Sequence, residues 1–388
     1  MSRSRLPRNV VALGLVSLFT DMSSEMIYPL LPVFLTAALG AGPAALGIIE
    51  GVAETTASLL KLFSGAWSDR LGKRKPLVLA GYGLSAVMRP LMGLAASWTH
   101  VLGIRFSDRI GKGVRSSPRD ALVAASVPPE DRGRAFGFQR ALDHLGAVLG
   151  PVIAFALLAK AGLPTRSVFF LAAIPGAVAV AILWGMVRDS ARGSADGTRA
   201  GPLAGGITPE FRRYLLIVAL FTLGNASDAF LILRAVDAGV PAAWVPLLWA
   251  AFHVVKSSLS TPLGILSDRW GRRKMVASGW ILYAAVYAAW GIAEGPGWMV
   301  GLFLVYGLHA AATEGAERAL VADFVPPDRR GTAFGWFHLA VGAAALPASL
   351  LFGVLWSRYG AGTAFGVSAT LAMLAAGSLL SLRGPKAS

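Results

Sequence analysis

Fourteen ionisable side chains in the first half of this 388-residue sequence lie within apolar stretches. They are the acids Asp21, Glu25, Glu50, Glu54, Asp108, Asp120 and Asp143, and the bases Lys61, Arg105, Arg109, Lys112, Arg115, Arg119 and Arg140. Their spacing follows a helical repeat. Asp21, Glu25 and Tyr28 fall at i, i+4, i+7, and Glu50, Glu54 and Lys61 at i, i+4, i+11. The residues from Arg105 to Arg119 keep largely to one face, and Arg140, Asp143 and His144 form an i, i+3, i+4 cluster. The second half is sparser, with Asn225, Asp228 and Arg234, then His253 and Lys256, then His309, Glu314, Glu317 and Arg318, and last His338. Charges of this kind suit proton transfer. A carboxylate in dry surroundings keeps its proton, and an approaching cation makes it give the proton up. Asp21, Glu25, Glu50, Glu54, Asp143, Asp228 and Glu314 are candidates for that role. Tyr28, Arg109, Lys112, Arg115, Arg140, His144, Asn225 and Arg234 are candidates for contact with a solute.

Plainer alternatives stand beside these. Asp108 next to Arg109 reads equally as an ion pair within one helix. Glu50 and Glu54 could simply pair with Lys61. Arg105, Asp120, Arg318 and Asp323 lie near span ends, where long side chains snorkel or pair. His144, His253 and His338 suit ordinary interior histidines, and Trp244, Trp249, Trp290, Trp298 and Trp356 suit belt anchors or packing.

The elements that must position these groups are membrane spans. The chain is 55% hydrophobic and 15% charged, against about 25% charged in soluble domains. Twelve segments have the roughly 20 apolar residues that a spanning helix needs: 10–38, 43–66, 76–97, 100–124, 133–159, 167–187, 213–236, 243–266, 275–294, 298–322, 332–356 and 363–382. The first resembles a signal peptide, yet no small-residue cleavage site follows, and it continues through Asp21 and Glu25 to Phe34. A charge at the bilayer centre costs about 3 kcal/mol, so fourteen facing lipid would cost roughly 40 kcal/mol. They must face one another or a watery cavity. The loops alternate in charge, with 22 Lys and Arg on one side and three on the other, which predicts that both termini are cytoplasmic. The net charge of +15 is therefore topological, and no nucleic-acid partner is implied. Cysteine is absent, so disulfides and thiolate metal sites are excluded. No Gly-rich GK[ST] loop or hydrolytic motif appears; no enzyme, cofactor or dedicated metal site is expected.

A polar Gly/Ser/Asp/Arg stretch at 188–212 reads as a linker between residues 1–187 and 213–388, two six-span halves that repeat one another. Gly65-Ala-Trp-Ser-Asp69-Arg70-Leu-Gly72-Lys-Arg74-Lys75 recurs as Gly264-Ile-Leu-Ser-Asp268-Arg269-Trp-Gly271-Arg-Arg273-Lys274, offset by 199. Val127-Pro-Pro at the next loop recurs at Val325, offset by 198, and Leu18-Phe-Thr20 matches Leu220-Phe-Thr222. Parallel six-span repeats are an established transporter architecture with a midplane substrate site.

The GxxSDRxGxRK loop resembles the signature of the major facilitator superfamily. Arg109-Ile-Gly-Lys112-Gly113-Val-Arg115 is similar to that superfamily's RxxQGxG motif, with Lys112 at the Gln position and Arg115 at a small position. Gly146-Ala-Val-Leu-Gly150-Pro151 resembles the GxxxGP motif of its antiporters. The resemblance implies an all-α membrane protein, with twelve transmembrane helices in two pseudo-symmetric six-helix bundles. It also implies a loop latch, carried by Gly65, Asp69, Arg70, Gly72 and Arg74 and again by Gly264, Asp268, Arg269, Gly271 and Arg273. Arg74 and Arg273 also suit plain topology signals. Helices 1, 4, 7 and 10 would line the cavity. The expected function is secondary active transport by alternating access, as proton-coupled efflux of a polar or anionic small molecule. Uptake of an organic anion or metabolite, metal or metal-chelate efflux, and a non-transporting sensor on the same scaffold are alternatives. The expected partners are the solute, protons and the lipid of the plasma (inner) membrane, with the protein a monomer.

Overall fold

A computed structural model describes residues 6–71, 74–128, 132–189, 208–325 and 330–382. The side chains at 62, 65–66, 68–71, 132–134, 322 and 330–332 lie outside that description. Among the described residues the chain is helical throughout, with no strand. Twelve helical segments are long enough to span a bilayer. We number them α1 (Arg8–Ala38), α2 (Pro43–Leu71), α3 (Lys75–Leu94), α4 (Trp98–Ala125), α5 (Arg132–Phe155, continuing to Lys160) and α6 (Thr165–Met186). The second six are α7 (Pro209–Asp237), α8 (Ala242–Trp270), α9 (Arg272–Ile292), α10 (Pro296–Asp323), α11 (Arg330–Tyr359) and α12 (Ala361–Ser381). Ten are apolar enough to cross a membrane by composition alone; α2 and α4 are the exceptions. Those two carry Glu50, Glu54 and Lys61, and the run from Arg105 to Asp120.

Local chemistry sets the ends. Ser97 caps α4 by accepting from the His100 N–H at 3.3 Å, and Thr208 caps α7 through the Phe211 N–H at 3.2 Å. Pro209 supplies a prebuilt first turn. The α8–α9 corner turns on Gly271 at φ 104°, a conformation that strains any residue with a Cβ. The first turn of α3 is capped from elsewhere: Asp189 Oδ1 accepts from the Arg74 and Lys75 N–H groups at 3.1 and 3.4 Å. Asn9 clasps the neighbouring Arg188 backbone, donating to its C=O and accepting its N–H, both at 3.0 Å. The end of α6 is thereby fastened to the starts of α1 and α3.

Two helices are interrupted at matching places in the repeat. α1 leaves the α-helix after Glu25 and passes through a 3-10 turn at Tyr28–Leu30. α7 stops at Gly224 and resumes at Ala229. Inside a membrane the freed backbone groups need partners. Tyr283 Oη donates to Gly224 O at 2.8 Å, and Ser227 Oγ accepts from the Ala229 N–H at 3.3 Å.

The chain divides into two compact units, Met1–Leu31 with Thr56–Arg199, and Pro32–Thr55 with Ala200–Ser388. The first half of α2 thus packs with the second unit. There Gly47 and Gly51 lie against the α11 backbone at Ser349 and Leu346, and Thr55 Oγ1 donates to Gly342 O at 2.8 Å. The cores differ in kind. The first unit packs Val10, Leu13, Val16, Val78, Leu122 and Leu183 into one aliphatic cluster and also buries Arg89, Arg105 and Asp108. The second is built on a ring cluster in which Phe221 stacks on Trp280 at 4.3 Å and Tyr283 on Tyr287 at 4.0 Å. Trp290, Trp249 and Trp356 are buried and serve packing, whereas Trp244 and Trp298 are exposed.

Candidate functional site

In the first unit α1 and α5 approach closely through the Gly146 and Gly150 positions. A Cβ at Gly146 would stand 2.3 Å from Leu18 O and 3.1 Å from the Asp21 Cβ. At Gly150 it would stand 2.6 Å from Met22 O and 3.1 Å from the Glu25 Cβ. The Gly-x-x-x-Gly spacing therefore seats α5 against the two helix-1 acids, as small residues allow in membrane helices. Gln139, two turns before Gly146, donates to Ser17 Oγ at 3.2 Å. Asp143 comes from the same stretch of α5. Its side chain is buried, Oδ2 lies 3.7 Å from Arg140, and Oδ1 has no hydrogen-bond partner. Asp143, Glu25, Lys112 and Arg115 are the charged groups that act on Asp21. Three acids from α1 and α5 and two bases from α4 thus form one cluster. Arg140 lies at the edge of the cluster, 3.7 Å from Asp143 and with 54% of its side chain exposed.

Behind the cluster lies a polar network that the spacing analysis misses. Arg89, on α3, is buried and pairs with Asp108 at 3.2 Å while donating to Thr20 O at 2.8 Å. Ser85 donates to Asp108 O at 3.3 Å and accepts from Arg115 Nη1 at 2.6 Å. The Arg115 guanidinium stacks on the Tyr82 ring at 4.4 Å, so Arg115 ties α3 to α4 besides acting on Asp21. Asp108 therefore pairs across helices rather than with Arg109, whose Nε is buried without a hydrogen-bond partner. Arg105 is buried too, its guanidinium 5.5 Å from the centroid of the Tyr28 ring; of the two expectations, snorkelling or pairing, its burial speaks against the first. A cavity of about 20 Å³ opens among Ser24, Tyr28, Arg89, Arg105 and Asp108, beside three apolar side chains.

The second unit gathers its acids around the interruption of α7. Ser227 donates to Glu50 at 3.2 Å, and Tyr306 donates to Asp228 at 2.5 Å. Lys256, Glu50 and Glu54 all act electrostatically on Asp228, so these acids and the α8 lysine form one group. Glu314 is held by Lys256 at 2.9 Å and by Arg318 at 3.2 Å, tying α8 to α10. Glu317 accepts from Trp280 Nε1 at 2.8 Å, and His309 Nδ1 lies 2.7 Å from Gly279 O. Arg234 donates to Trp290 O and Ala293 O at 3.3 and 2.8 Å. It closes the C-terminus of α9, a structural duty in place of the solute contact expected of it.

The motif loops divide in what they reveal. Gly72 and the side chains at Gly65, Asp69 and Arg70 lie outside the described residues, and the backbone of the last two belongs to α2. In the second copy Asp268 pairs with Arg272 at 3.2 Å, and Arg272 reaches on to Asp323 at 2.5 Å and Ala319 O at 3.3 Å. The cation that joins α8, α9 and α10 is therefore Arg272, one turn past the exposed Arg269. Arg273 donates to Leu382 O.

Twelve membrane-length helices, several of them with buried charged side chains, define a multi-pass membrane protein. The family model described as Major Facilitator Superfamily matches residues 13–252 and 215–388. An uncharacterised MFS-type transporter of Methanocaldococcus jannaschii is 34% identical over 358 residues, 90% of this chain and 89% of its own. The chain belongs to the major facilitator superfamily. A crystal structure of a bacterial homologue of the human lysosomal transporter Spinster superposes with a TM-score of 0.79 at 17% identity, covering 97% of each chain. The multidrug resistance protein MdtH of Cronobacter sakazakii is 34% identical over 134 residues, 34% of this chain and 33% of its own.

Proposed function

We propose that the protein is a proton-coupled exporter of a polar or anionic small molecule, residing in the plasma membrane with both termini in the cytoplasm. The observation that carries the reading is the seating of Asp21 and Glu25 on α5 through Gly146 and Gly150, beside the buried Asp143 of the same helix. Acids and bases on three helices can exchange a proton for a salt contact when one helix shifts. The buried, unpartnered Oδ1 of Asp143 is an acceptor waiting for a proton or a solute donor. The cationic face of α4 favours a solute with negative or strongly polar groups over a greasy cation. The direction rests on the GxxxGP spacing and on the partial likeness to a multidrug resistance protein. Uptake of an organic anion is the second reading, favoured by the same α4 cations.

The test is flux in proteoliposomes under an imposed pH gradient, with candidate solutes first found by their effect on melting temperature. Glu25→Gln and Asp143→Asn are expected to lower gradient-driven flux at least about tenfold while leaving solute-induced stabilisation in place. Undiminished gradient-driven flux in both variants would remove the cluster from coupling. Solute exchange without any response to the gradient would refute proton coupling itself.

A further inference from the structure

We infer that the corner where the starts of α1 and α3 meet the end of α6 binds the headgroup phosphate of one anionic phospholipid, with Trp184 beside its acyl chains. The corner is assembled by hydrogen bonds. Asn9 exchanges two with the Arg188 backbone, and Asp189 caps the first turn of α3. Lys75 adds a third tie, its Nζ donating to Trp184 O at 2.8 Å. These ties bring Arg8, Lys75 and Arg188 to one place from three helix ends. Arg8 and Arg188 are exposed and make no ion pair among the described residues. Lys75 keeps two further N–H donors beyond the one that Trp184 O accepts. The carboxylate at the corner, Asp189, commits its Oδ1 to the Arg74 and Lys75 N–H groups. A phosphate brought there would be within reach of two guanidinium groups and an ammonium.

Two observations make the ligand a lipid rather than a free phosphate. Trp184 is 72% exposed, so apolar surface begins where Lys75 is held. Amphipathic rings of this kind sit at the headgroup level of a bilayer, and bases at that level draw anionic lipid, at roughly fivefold in affinity each. The repeat then separates what the fold needs from what it does not. In the second half Arg273 donates to Leu382 O, and Leu382 stands at the 198 offset from Trp184. That leucine is buried. Closing the last helix of a half with a base from its third helix therefore requires no surface tryptophan; the exposed ring is particular to the first half. The inference does not rest on the transport reading, since a membrane protein that moved no solute could hold the same lipid.

The experiment uses the purified full-length protein in micelles of a neutral detergent, titrated with phosphatidylglycerol or with phosphatidylcholine. Phosphatidylglycerol is expected to raise the melting temperature by roughly 3 °C with saturation. Phosphatidylcholine, and glycerol phosphate as a headgroup without chains, are expected to have no such effect. Arg8→Gln combined with Arg188→Gln should raise the half-saturating mole fraction roughly 25-fold, at about fivefold per base. Both side chains are exposed, and the bonds to Asn9 use only the Arg188 backbone, so this variant keeps the fold. Native mass spectrometry should count one retained phosphatidylglycerol fewer on it than on the parent. Arg212→Gln combined with Arg213→Gln removes the same charge from the exposed start of α7 and should leave the response as it was. Equal melting in the two lipids, or a response unchanged by the Arg8 and Arg188 substitutions, would overturn the site. An equal loss in the Arg212 and Arg213 variant would also overturn it, by assigning the effect to general surface charge. Full stabilisation by glycerol phosphate would do so by making the ligand a soluble anion.

Discussion

The buried Arg89–Asp108 pair is the sharpest place to test how the first unit is held together. Both side chains are less than a tenth exposed and lie 3.2 Å apart. Asp108 bears the electrostatic influence of Arg89, Arg105, Arg109 and Arg115 together. Asp108→Leu would leave those cations without their shared counter-charge, and Arg89→Met would strand the carboxylate and free Thr20 O. Breaking a buried pair by removing one partner costs about 3–5 kcal/mol, while replacing both by apolar groups of similar size is often neutral. Each single variant is therefore expected to lose about 4 kcal/mol. The double variant should lose about 2 kcal/mol or less, the remainder being the unmade bond to Thr20 O. The assay is reversible unfolding in mixed detergent micelles, analysed as a double-mutant cycle. A coupling below about 0.5 kcal/mol, or single variants as stable as the parent, would refute the claim that this pair joins α3 to α4.

Three further outcomes are expected. Gly146→Ala and Gly150→Ala, which must push α5 away from helix-1 carbonyls now 2.3 and 2.6 Å from the new Cβ, should each cost about 1–3 kcal/mol. Gly137→Ala, with nothing within 4 Å, should cost nothing measurable by melting temperature. Arg272→Gln should destabilise the second unit and change the flux rate more than Arg269→Gln, because Arg272 alone of the two is placed on Asp268 and Asp323; equal effects on both readouts would count against it. Tyr306→Phe removes the 2.5 Å hydrogen bond to Asp228 and should shift the pH dependence of flux with little change in melting temperature. A superimposable pH profile would show that this bond does not bear on transport.

The twelve spans were legible because apolar length and basic loops leave a strong one-dimensional signal, and the observed ends of α1 and α4 lie within two residues of those expected. Which charge meets which was legible only in part. The i, i+4 stripe of Asp21 and Glu25 and the stripe from Lys112 to Arg115 do converge. Arg89 escaped notice because its span carries no other charge, so no stripe drew attention to it. The place of Arg105 and of Arg234 was illegible for a related reason. Distance from a span end measures depth, but not whether an aromatic ring or a helix C-terminus waits there to receive a guanidinium. Arg272 displaced Arg269 because, at i+4 from Asp268, it shares that residue's helix face as an i+1 neighbour cannot.

The membership of Pro32–Thr55 in the second unit has a consequence for any attempt to dissect the chain. A fragment begun after the linker would carry α7 to α12 but lack the helix whose glycine backbone nests on α11 at Leu346 and Ser349. The Gly342 carbonyl would lose the Thr55 hydroxyl. The repeat written in the sequence therefore does not coincide with the packing: the amino-terminal copy lends its sibling a splint, and a carboxy-terminal fragment would be built without it.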